Sequence, residues 1–500
     1  MNQRHTGATA PQQSVAHYDV LVVGAGISGI GAAWHLTQRL PECSFVVLEA
    51  QESFGGTWRT HRFPGIRSDS DLYTFGYAFK PWTGAPIATA EKILRYLGEV
   101  IEENGLASHI RYRHRIVSAR WSSQHGLWTL DAVRTDTGEP LRFTTGFLWM
   151  CQGYYRHSDG HTPRWEGMQD FDGPIVHPQT WPEDLDYKGR RVVVIGSGAT
   201  AATLIPAIAQ DAAHVTMLQR SPGYFRTGRN AIPIADELRT LGVDETWIHE
   251  IVRRKILHEQ AQFAQRAFAE PEKVKEDLFV AARGFLGPDY PLDPHFTPRY
   301  RPWRQRIAFI PDGDLFQAIA SGRASVVTDE IDRFTRAGIR LKSGQELEAD
   351  IIVTATGFNL NVLGDIEFAI DGVRLDFADT ITYHGMMFTG VPNLVWVFGY
   401  LRASWTLRAD LVAGFVCRLL HHMREQGMRK VVPQLRREDR DMPRLPWIEP
   451  ENFNPGYVTR SLHLLPRQGN RPPWQHTQDY WSEKDVIPAI DLDDGALVYT

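Results

Sequence analysis

The chain has 500 residues, too many for one hydrophobic core, so we expect roughly two to four domains. Its 54 basic and 59 acidic side chains give a formal net charge of −5, which excludes a basic surface for nucleic acid or anionic membranes and suits a small neutral substrate. The three cysteines, Cys43, Cys151 and Cys417, contain no CxxC pair. They argue against a disulfide framework, a zinc site or a dithiol centre and predict a reducing, cytoplasmic setting.

The first 17 residues are rich in Gln, Thr, Ala and His and contain no continuous apolar stretch. They predict a flexible tail rather than a secretory signal or a membrane anchor. No later apolar run approaches the ~20 residues that span a bilayer, so we expect no transmembrane segment.

A buried strand and a glycine-rich turn follow the tail. The apolar run Tyr18–Val23 leads into a GxGxxG turn, as in a dinucleotide-binding βαβ unit. The glycines of this turn are Gly24, Gly26 and Gly29. The next strand, Phe45–Leu48, ends in Glu49, whose carboxylate can accept hydrogen bonds from ribose hydroxyls and would repel a 2′-phosphate. The unit therefore predicts an FAD site.

The same pattern begins again at Val192–Ile195, followed by GxGxxA. The residues of this second loop are Gly196, Ser197, Gly198, Ala199, Thr200, Ala201 and Ala202. The following strand, His214–Leu218, leads to Arg220 and Ser221, which can hold a 2′-phosphate by charge-assisted hydrogen bonds. The unit predicts an NADPH site, and the alternative is that Arg220 is an ordinary surface residue. Two such units in one chain predict hydride transfer from NADPH to a flavin.

Two long signatures carry a family resemblance. The segment Phe171–Pro182 fits FxGxxxHxxxW(P/D), and Gly55–Asp69 fits a second pattern of the same family. The chain resembles class B flavoprotein monooxygenases of the type I Baeyer-Villiger family. Through Thr297–Arg306, Thr354–Phe358 and Ala403–Leu407 it is most similar to the subgroup with the ethionamide-activating monooxygenase of mycobacteria.

The resemblance implies roles for individual residues. It implies contacts to FAD by Ser28, Glu49, Gly56, Thr57, Trp58, Arg59, Thr60, Asp69 and Val117. It implies contacts to NADPH by Arg67, Ser68, the second glycine loop, Arg220 and Ser221. Arg306 stands at the position of the family's catalytic arginine, and Asp69 at that of the carboxylate that orients it.

The resemblance also implies the reaction. Reduced flavin and O2 form a flavin peroxide, which converts a small neutral ketone into an ester or lactone and oxidises a sulfide to a sulfoxide. A permanently cationic Arg306 can stabilise the negative charge of that reaction, at a scale of ~3 kcal/mol for a well-placed donor. The alternative for Arg306 is an interdomain salt bridge with no chemical role.

Other readings stay open at this point. An S- or N-oxygenase with little Baeyer-Villiger activity shares these motifs, as does a flavin-binding reductase or sensor that does not oxygenate. A disulfide reductase needs two cysteines beside the flavin, and only Cys43 is near.

For His177, a hinge role is favoured over proton transfer. Trp58, Trp405 and Tyr400 are candidates either for the substrate space or for the core.

His157 and His161 have the i, i+4 spacing of a metal pair, but His-Ser-Asp-Gly-His is typical of a loop and no third ligand is evident, so we expect no metal.

These observations predict an α/β fold with two Rossmann-like dinucleotide-binding domains and a helical insertion. We expect the FAD domain at 18–155 and 385–500 and the NADPH domain at 156–384, including a helical subdomain at 228–300. Further expected elements are a helical stretch at 232–284, an irregular loop at 288–302, a strand at 351–354 and a helix at 410–423. Nothing in these motifs selects an oligomeric state.

Overall fold

The computed structural model describes residues 15–500. In this range the helices are α1 (Ile27–Arg39), α2 (Thr57–Thr60), α3 (Leu72–Phe75), α4 (Ala90–Glu103), α5 (Ala199–Ile208), α6 (Pro233–Thr240), α7 (Glu245–Ala269), α8 (Pro271–Leu286), α9 (Asp314–Ala320), α10 (Trp405–Glu425), α11 (Gly456–Ser461) and α12 (Tyr480–Val486). The strands of the first half are β1 (Ala16–Val23), β2 (Phe45–Leu48), β3 (Ile110–Arg111), β4 (His114–Ser122), β5 (Leu127–Arg134), β6 (Pro140–Met150), β7 (Tyr155–Gly160), β8 (Ile175–Val176), β9 (Arg191–Ile195), β10 (His214–Gln219) and β11 (Phe225–Gly228). The strands that follow are β12 (Ala308–Pro311), β13 (Ala324–Thr328), β14 (Ile331–Thr335), β15 (Gly338–Leu341), β16 (Glu346–Glu348), β17 (Ile351–Thr354), β18 (Phe358–Leu360), β19 (Glu367–Ile370), β20 (Val373–Arg374), β21 (Thr382–Tyr383), β22 (Met387–Phe388), β23 (Leu394–Trp396), β24 (Val431–Pro433), β25 (Leu445–Pro446), β26 (Arg467–Gln468) and β27 (Leu497–Tyr499).

The flexible tail predicted for the first 17 residues is too long. Residues 1–14 of it lie outside the described residues, but Ala16 and His17 already pair with Phe143 and Thr144 in the first sheet. The strand therefore begins two residues before the predicted start, because β6 is long enough to extend the ladder past the apolar run.

The first sheet has the order β20-β19-β4-β5-β6-β1-β2-β3, with β23 also paired to β6. Its centre is parallel, since β1 runs parallel to both β2 and β6. Residues Val20–Val23 are buried, as expected for a strand covered on both faces. Helices α1 and α4 pack on one face, and a second core that includes Phe377, Phe388 and Trp447 lies on the other. Both predicted strands of this unit are confirmed.

The second sheet is entirely parallel, in the order β13-β10-β9-β17-β8. The predicted strands at 192–195, 214–218 and 351–354 all belong to it. Helices α5 and α9 contribute to the hydrophobic core on one face, and the β14–β16 meander covers the other. The two-unit α/β architecture expected from the sequence is confirmed.

The chain returns to the first sheet earlier than predicted. β19 runs parallel to β4, with Glu367 opposite Ser118 and Ile370 opposite Trp121, and β20 pairs with β19. The expected boundary at residue 384 is therefore wrong, because residues 367–374 extend the first sheet by two strands. Such long-range pairing leaves no mark in the local sequence.

The helices α6, α7 and α8 occupy the segment predicted to be helical and join the two units. On α7, Arg253 donates to the Tyr73 carbonyl at 2.6 Å, and His249 Nδ1 accepts from the Trp82 N–H at 3.0 Å. On α8, Ala282 and Leu286 are part of the core of the second unit. No helix or strand lies between the end of α8 and β12, so the proline-rich segment is irregular, as predicted.

Two further predictions need correction. Helix α10 starts at Trp405, five residues before the predicted start, because its first turn packs in the cavity wall and its later turns lie against α1. The segment of His157 was expected to be a loop, but it forms strand β7, which pairs with β18. No helix among residues 15–500 is long and apolar enough to cross a membrane.

Candidate active site between the two glycine loops

A cavity of about 760 Å³ is lined by residues of both glycine loops. The predicted site residues in its wall are Gly24, Gly26, Ser28, Glu49, Gly56, Thr57, Trp58, Arg67, Ser68, Asp69, Val117, Ser197, Gly198, Ala199, Thr200, Ser221 and Arg306. The predicted site residues outside the wall are Gly29, Arg59, Thr60, Gly196, Ala201, Ala202 and Arg220. A single cavity thus gathers most of a set that runs from Gly24 to Arg306 in the sequence.

The first glycine loop is shaped for close backbone approach. Gly24 has φ +98°, and a Cβ on Gly29 would lie 1.8 Å from the Gly24 carbonyl oxygen, so α1 can pack here only on a glycine. A Cβ on Gly26 would meet nothing nearer than Gly56, whose Cα lies at 3.8 Å. The open side of the loop, at the start of α1, fits the pyrophosphate of a dinucleotide.

Glu49 lies at the carboxyl end of β2 and is 6% exposed. Its two carboxylate oxygens accept from the Ala25 N–H at 2.7 Å and the Gln51 N–H at 2.8 Å. Burial raises the pKa of Glu49. Each oxygen retains a further lone pair, and because Glu49 lines the cavity it can accept a hydrogen bond from a ribose hydroxyl.

Arg59 and Thr60 turn away from the cavity. Arg59 donates to the Ser53 hydroxyl at 3.3 Å and to the Phe54 carbonyl at 3.4 Å. Thr60 donates back to the Gly56 carbonyl at 3.1 Å. Their positions support the α2 turn rather than the cavity surface.

The second glycine loop has one closed and one open position. A Cβ on Gly196 would lie 2.3 Å from the Ala355 carbonyl oxygen, whereas a Cβ on Gly198 would meet nothing within 4 Å. Gly198 stands directly before α5, where backbone N–H groups point outward. This end of the helix fits a second phosphate group.

Two arginines predicted to contact the second nucleotide differ in setting. Arg67 lines the cavity and forms a bidentate ion pair with Asp314, with N–O distances of 2.5 and 3.1 Å. Arg220 is exposed at the end of β10, outside the cavity wall, while the adjacent Ser221 lies in it. Arg220 has no salt bridge with another described residue, so its guanidinium is available to a ligand.

Arg306 and Asp69 form a bidentate pair in the cavity wall. Arg306 Nε donates to Asp69 Oδ2 and Nη2 donates to Oδ1, both at 2.7 Å. About 36% of the Arg306 side chain is exposed, and it is exposed toward the cavity that it lines. The Asp69 carboxylate raises the pKa of Arg306, which therefore stays cationic at any working pH. Nη1 makes no hydrogen bond within the described residues and remains free to donate.

Three tyrosines near Arg306 were missed at the level of sequence. Tyr154 and Tyr155 share a hydrogen bond of 2.8 Å between their hydroxyl groups, and with Tyr457 they line the cavity. Burial raises the pKa of all three, so their hydroxyls keep their protons. The available signal was the position of Tyr154 just past the parallel strand β6, where ligand-binding residues gather.

The three candidate aromatic residues all lie in the wall. Trp405 donates its indole N–H to the Ser28 hydroxyl at 2.7 Å and stacks on Tyr154 with a centroid distance of 5.1 Å. Tyr400 donates to Glu483 at 2.8 Å and is 3% exposed. It therefore belongs to the hydrophobic core as well as to the cavity wall. Trp58 packs edge-on against Phe75.

His177 lies outside the cavity wall and contacts Gly357 and Gly160. Its Nε2 donates to the Gly357 carbonyl at 3.1 Å, and its Nδ1 accepts from the Gln179 N–H at 3.1 Å. Its ring packs so closely on Gly160 that a Cβ there would lie 2.0 Å from it. Both ring nitrogens are engaged, which supports the hinge role over proton transfer.

Comparison with known proteins agrees with this geometry. Residues 22–94 match the model of an NAD(P)-binding Rossmann-like domain, and residues 85–233 match the flavin-binding monooxygenase-like family. The FAD-containing monooxygenase EthA of Mycobacterium tuberculosis is 47% identical over 483 residues, covering 96% of this chain and 97% of EthA. The FAD-binding monooxygenase AlmA of an Acinetobacter species, described as probable, is 40% identical over 487 residues and 96% of each chain.

Solved structures share the fold at lower identity. A steroid monooxygenase bound to NADP superposes with a TM-score of 0.76 at 22% identity, covering 97% of this chain and 99% of that one. An open cyclohexanone monooxygenase superposes with a TM-score of 0.67 at 22% identity, covering 84% of this chain and 90% of that one. The family resemblance drawn from the two signatures is confirmed, including the mycobacterial subgroup. The chain is a flavin monooxygenase and belongs to the family of FAD-containing monooxygenases that includes EthA.

Proposed function

We propose that the protein is a Baeyer-Villiger monooxygenase that uses FAD and NADPH to convert a ketone, O2, NADPH and a proton into an ester or lactone, NADP⁺ and water. The observation that carries the proposal is the bidentate pair of Arg306 and Asp69 in the wall of a cavity that both glycine loops share. Bound FAD, once reduced by NADPH, supplies the activation of O2.

The first unit would hold FAD. Gly26 would leave the backbone open for the pyrophosphate, Gly56 packs closely on Gly26, and Glu49 would accept from the ribose. Ser28, held by Trp405, and Asp69 lie in the same wall. These residues would hold FAD in the cavity that Arg306 also lines.

The second unit would hold NADPH. The open position at Gly198 and the start of α5 receive the pyrophosphate, and Arg220 with Ser221 receives the 2′-phosphate. Arg67, although paired with Asp314, faces the cavity and completes the nucleotide wall between the two loops.

Arg306 would stabilise the negative charge that develops on oxygen during attack on the carbonyl. Its free Nη1 is the donor for that charge, since Nε and Nη2 are bound to Asp69. A preformed donor in a site that excludes water contributes about 3 kcal/mol. Asp69 acts as a positioning residue, because its two oxygens fix the plane of the guanidinium.

Sulfoxidation of a thioether is a second candidate, and the tyrosines favour it. Oxygen transfer to sulfur is assisted by proton donation rather than by a cation alone. Tyr154, Tyr155 and Tyr457 supply protonated hydroxyls in the same wall as Arg306. One site can therefore serve both substrates.

The test is product analysis under ¹⁸O2. Holoenzyme with NADPH is given a panel of linear, cyclic and aryl ketones and of thioethers, and products are identified by mass spectrometry. We expect esters or lactones, and sulfoxides, that contain one ¹⁸O atom per molecule. NADPH consumption that yields hydrogen peroxide with every substrate and no labelled product would contradict the proposal.

A further inference from the structure

Three arginines lie together beside the cavity, and none of them forms a salt bridge among the described residues. Cζ of Arg301 lies 4.3 Å from the ring centroid of Phe268, and Cζ of Arg402 lies 5.2 Å from the same ring. Both guanidinium groups donate to Asn452, Arg402 at 2.6 Å to its carbonyl. Arg304 has no side-chain hydrogen bond to another described residue. We call Arg301, Arg304 and Arg402 the arginine cluster, and none of its members forms a salt bridge within residues 15–500.

The cluster holds positive charge that is only partly offset. Burial, together with the charge of Arg301, lowers the pKa of Arg402 to about 10, and burial with the charge of Arg304 lowers the pKa of Arg301. The Nε atoms of Arg304 and Arg402 are buried and have no partner. The carboxylate of Glu449, which accepts from the Asn452 amide at 2.6 Å, acts on Arg402 and offsets part of the positive charge of the three arginines. Like charges with unused donors are costly unless an anion binds between them.

The cluster adjoins the reacting end of the cavity. The three segments that build it also supply cavity wall, namely Tyr300, Gln305, Arg306, Tyr400, Ala403, Pro455 and Tyr457. The Cα atoms of Arg304 and Arg306 are two peptide units apart, so they are separated by at most about 7 Å. A second cavity, of about 290 Å³, leaves room for a bound group; Arg402, Asn452 and Glu449 line it, whereas Arg301 and Arg304 lie outside its wall.

We propose that the arginine cluster binds the carboxylate of an acidic substrate whose carbonyl group reaches Arg306. The guanidinium fork matches a carboxylate in geometry as well as in charge. The inference rests on the proposed oxygenation and names its substrate class as keto acids. It departs from the neutral ketone that the net charge favours, because charge at one end of a cavity is set locally.

The test compares acids with their esters. A homologous series of methyl ketones that end in a carboxylate, and the corresponding methyl esters, are assayed with holoenzyme for kcat/KM. We expect the acid to exceed its ester by about tenfold or more at the best chain length, as for a charge-assisted hydrogen bond. Arg301→Gln, Arg304→Gln and Arg402→Gln each reduce this ratio about tenfold, with kcat/KM for the ester and KM for NADPH unchanged. The matched control is Arg299→Gln, which changes an exposed arginine of the same loop and keeps the ratio.

Either of two kinetic results would overturn the inference. Equal kcat/KM for acid and ester in the unmodified enzyme removes the need for an anion site. If the cluster variants have a higher KM for NADPH but an unchanged kcat/KM for the acid, the cluster binds the nucleotide instead. If neither acid nor ester is oxygenated, the proposed function fails instead, and calorimetric titration of holoenzyme with decanoate still tests the cluster. Binding that is lost in Arg402→Gln but kept in Arg299→Gln supports the anion site, and no binding to the unmodified enzyme rejects it.

Discussion

Arg306 and Asp69 are 237 residues apart in sequence and meet through two parallel hydrogen bonds of 2.7 Å. Asp69 closes the second signature of the first unit, and Arg306 ends the irregular loop that leaves the helical insertion. The pair therefore links the first unit to the segment that follows the helical insertion. It fixes the Arg306 guanidinium in the cavity wall and leaves Nη1 without a hydrogen bond among the described residues.

Asp69→Asn is expected to uncouple NADPH oxidation from oxygenation. The amide keeps one acceptor oxygen but cannot hold both guanidinium nitrogens, so Arg306 is no longer fixed. We expect the yield of oxygenated product per NADPH to fall about tenfold while the thermal midpoint and FAD content remain near those of the unmodified enzyme. Product yield and hydrogen peroxide are measured in the same reaction. A fall in stability with unchanged coupling would assign Asp69 a purely structural role.

Gly29→Ala and Gly198→Ala should separate folding from nucleotide binding. The Cβ at Gly29 would lie 1.8 Å from the Gly24 carbonyl oxygen, so this variant should not form the first unit or retain FAD. The Cβ at Gly198 meets no protein atom within 4 Å, so this variant should fold. It should raise KM for NADPH, because the methyl group occupies space intended for phosphate. Equal KM values for Gly198→Ala and the unmodified enzyme would place the nucleotide elsewhere.

Arg220→Gln is expected to lower the preference for NADPH over NADH. Loss of charge-assisted hydrogen bonds to the 2′-phosphate corresponds to roughly a 10- to 100-fold rise in KM for NADPH. KM for NADH should not change, since NADH has no such phosphate. Steady-state kinetics with both nucleotides check this. The same change in both KM values would show that Arg220 does not read the 2′-phosphate.

His249 should make the fold sensitive to acid. It is 3% exposed, and burial lowers its pKa from 6.5 to about 4. The unfolded chain therefore binds the proton first as pH falls, so the contribution of His249 to stability is complete above pH 6.5 and declines toward pH 4. About 2 kcal/mol is lost between pH 6.5 and 5.

The matched variant for this test is His249→Asn, which keeps an acceptor for the Trp82 N–H without titrating. Urea unfolding at pH 7 and pH 5 should show a smaller loss of unfolding free energy in the variant. Parallel losses in both proteins would rule out His249 as a source of the acid sensitivity.

Local chemistry explains what the sequence predicts well. The glycine turns and Glu49 belong to strand–turn–helix units that a short stretch of sequence encodes, and they are found where expected, with Glu49 bonded to the Ala25 N–H of the same unit. The family resemblance located Arg306 and Asp69, whose contact no local pattern contains.

What could not be predicted depends on long-range pairing. The return of β19 to β4 and the approach of Tyr457 to Tyr154 follow from tertiary packing of segments hundreds of residues apart. Arg59 and Thr60 belong to a family motif, but their side chains bond to their own turn, which the motif does not specify.

The most direct test of the central claim compares Arg306→Ala with Arg299→Ala and the unmodified enzyme. Each is assayed for ester formed and hydrogen peroxide released per NADPH oxidised, with a ketone that the unmodified enzyme converts. We predict that Arg306→Ala retains FAD and oxidises NADPH but forms ester about 10²- to 10³-fold more slowly, the cost of removing one well-placed donor, while Arg299→Ala is unaffected. Ester formation by Arg306→Ala at the unmodified rate would contradict the account.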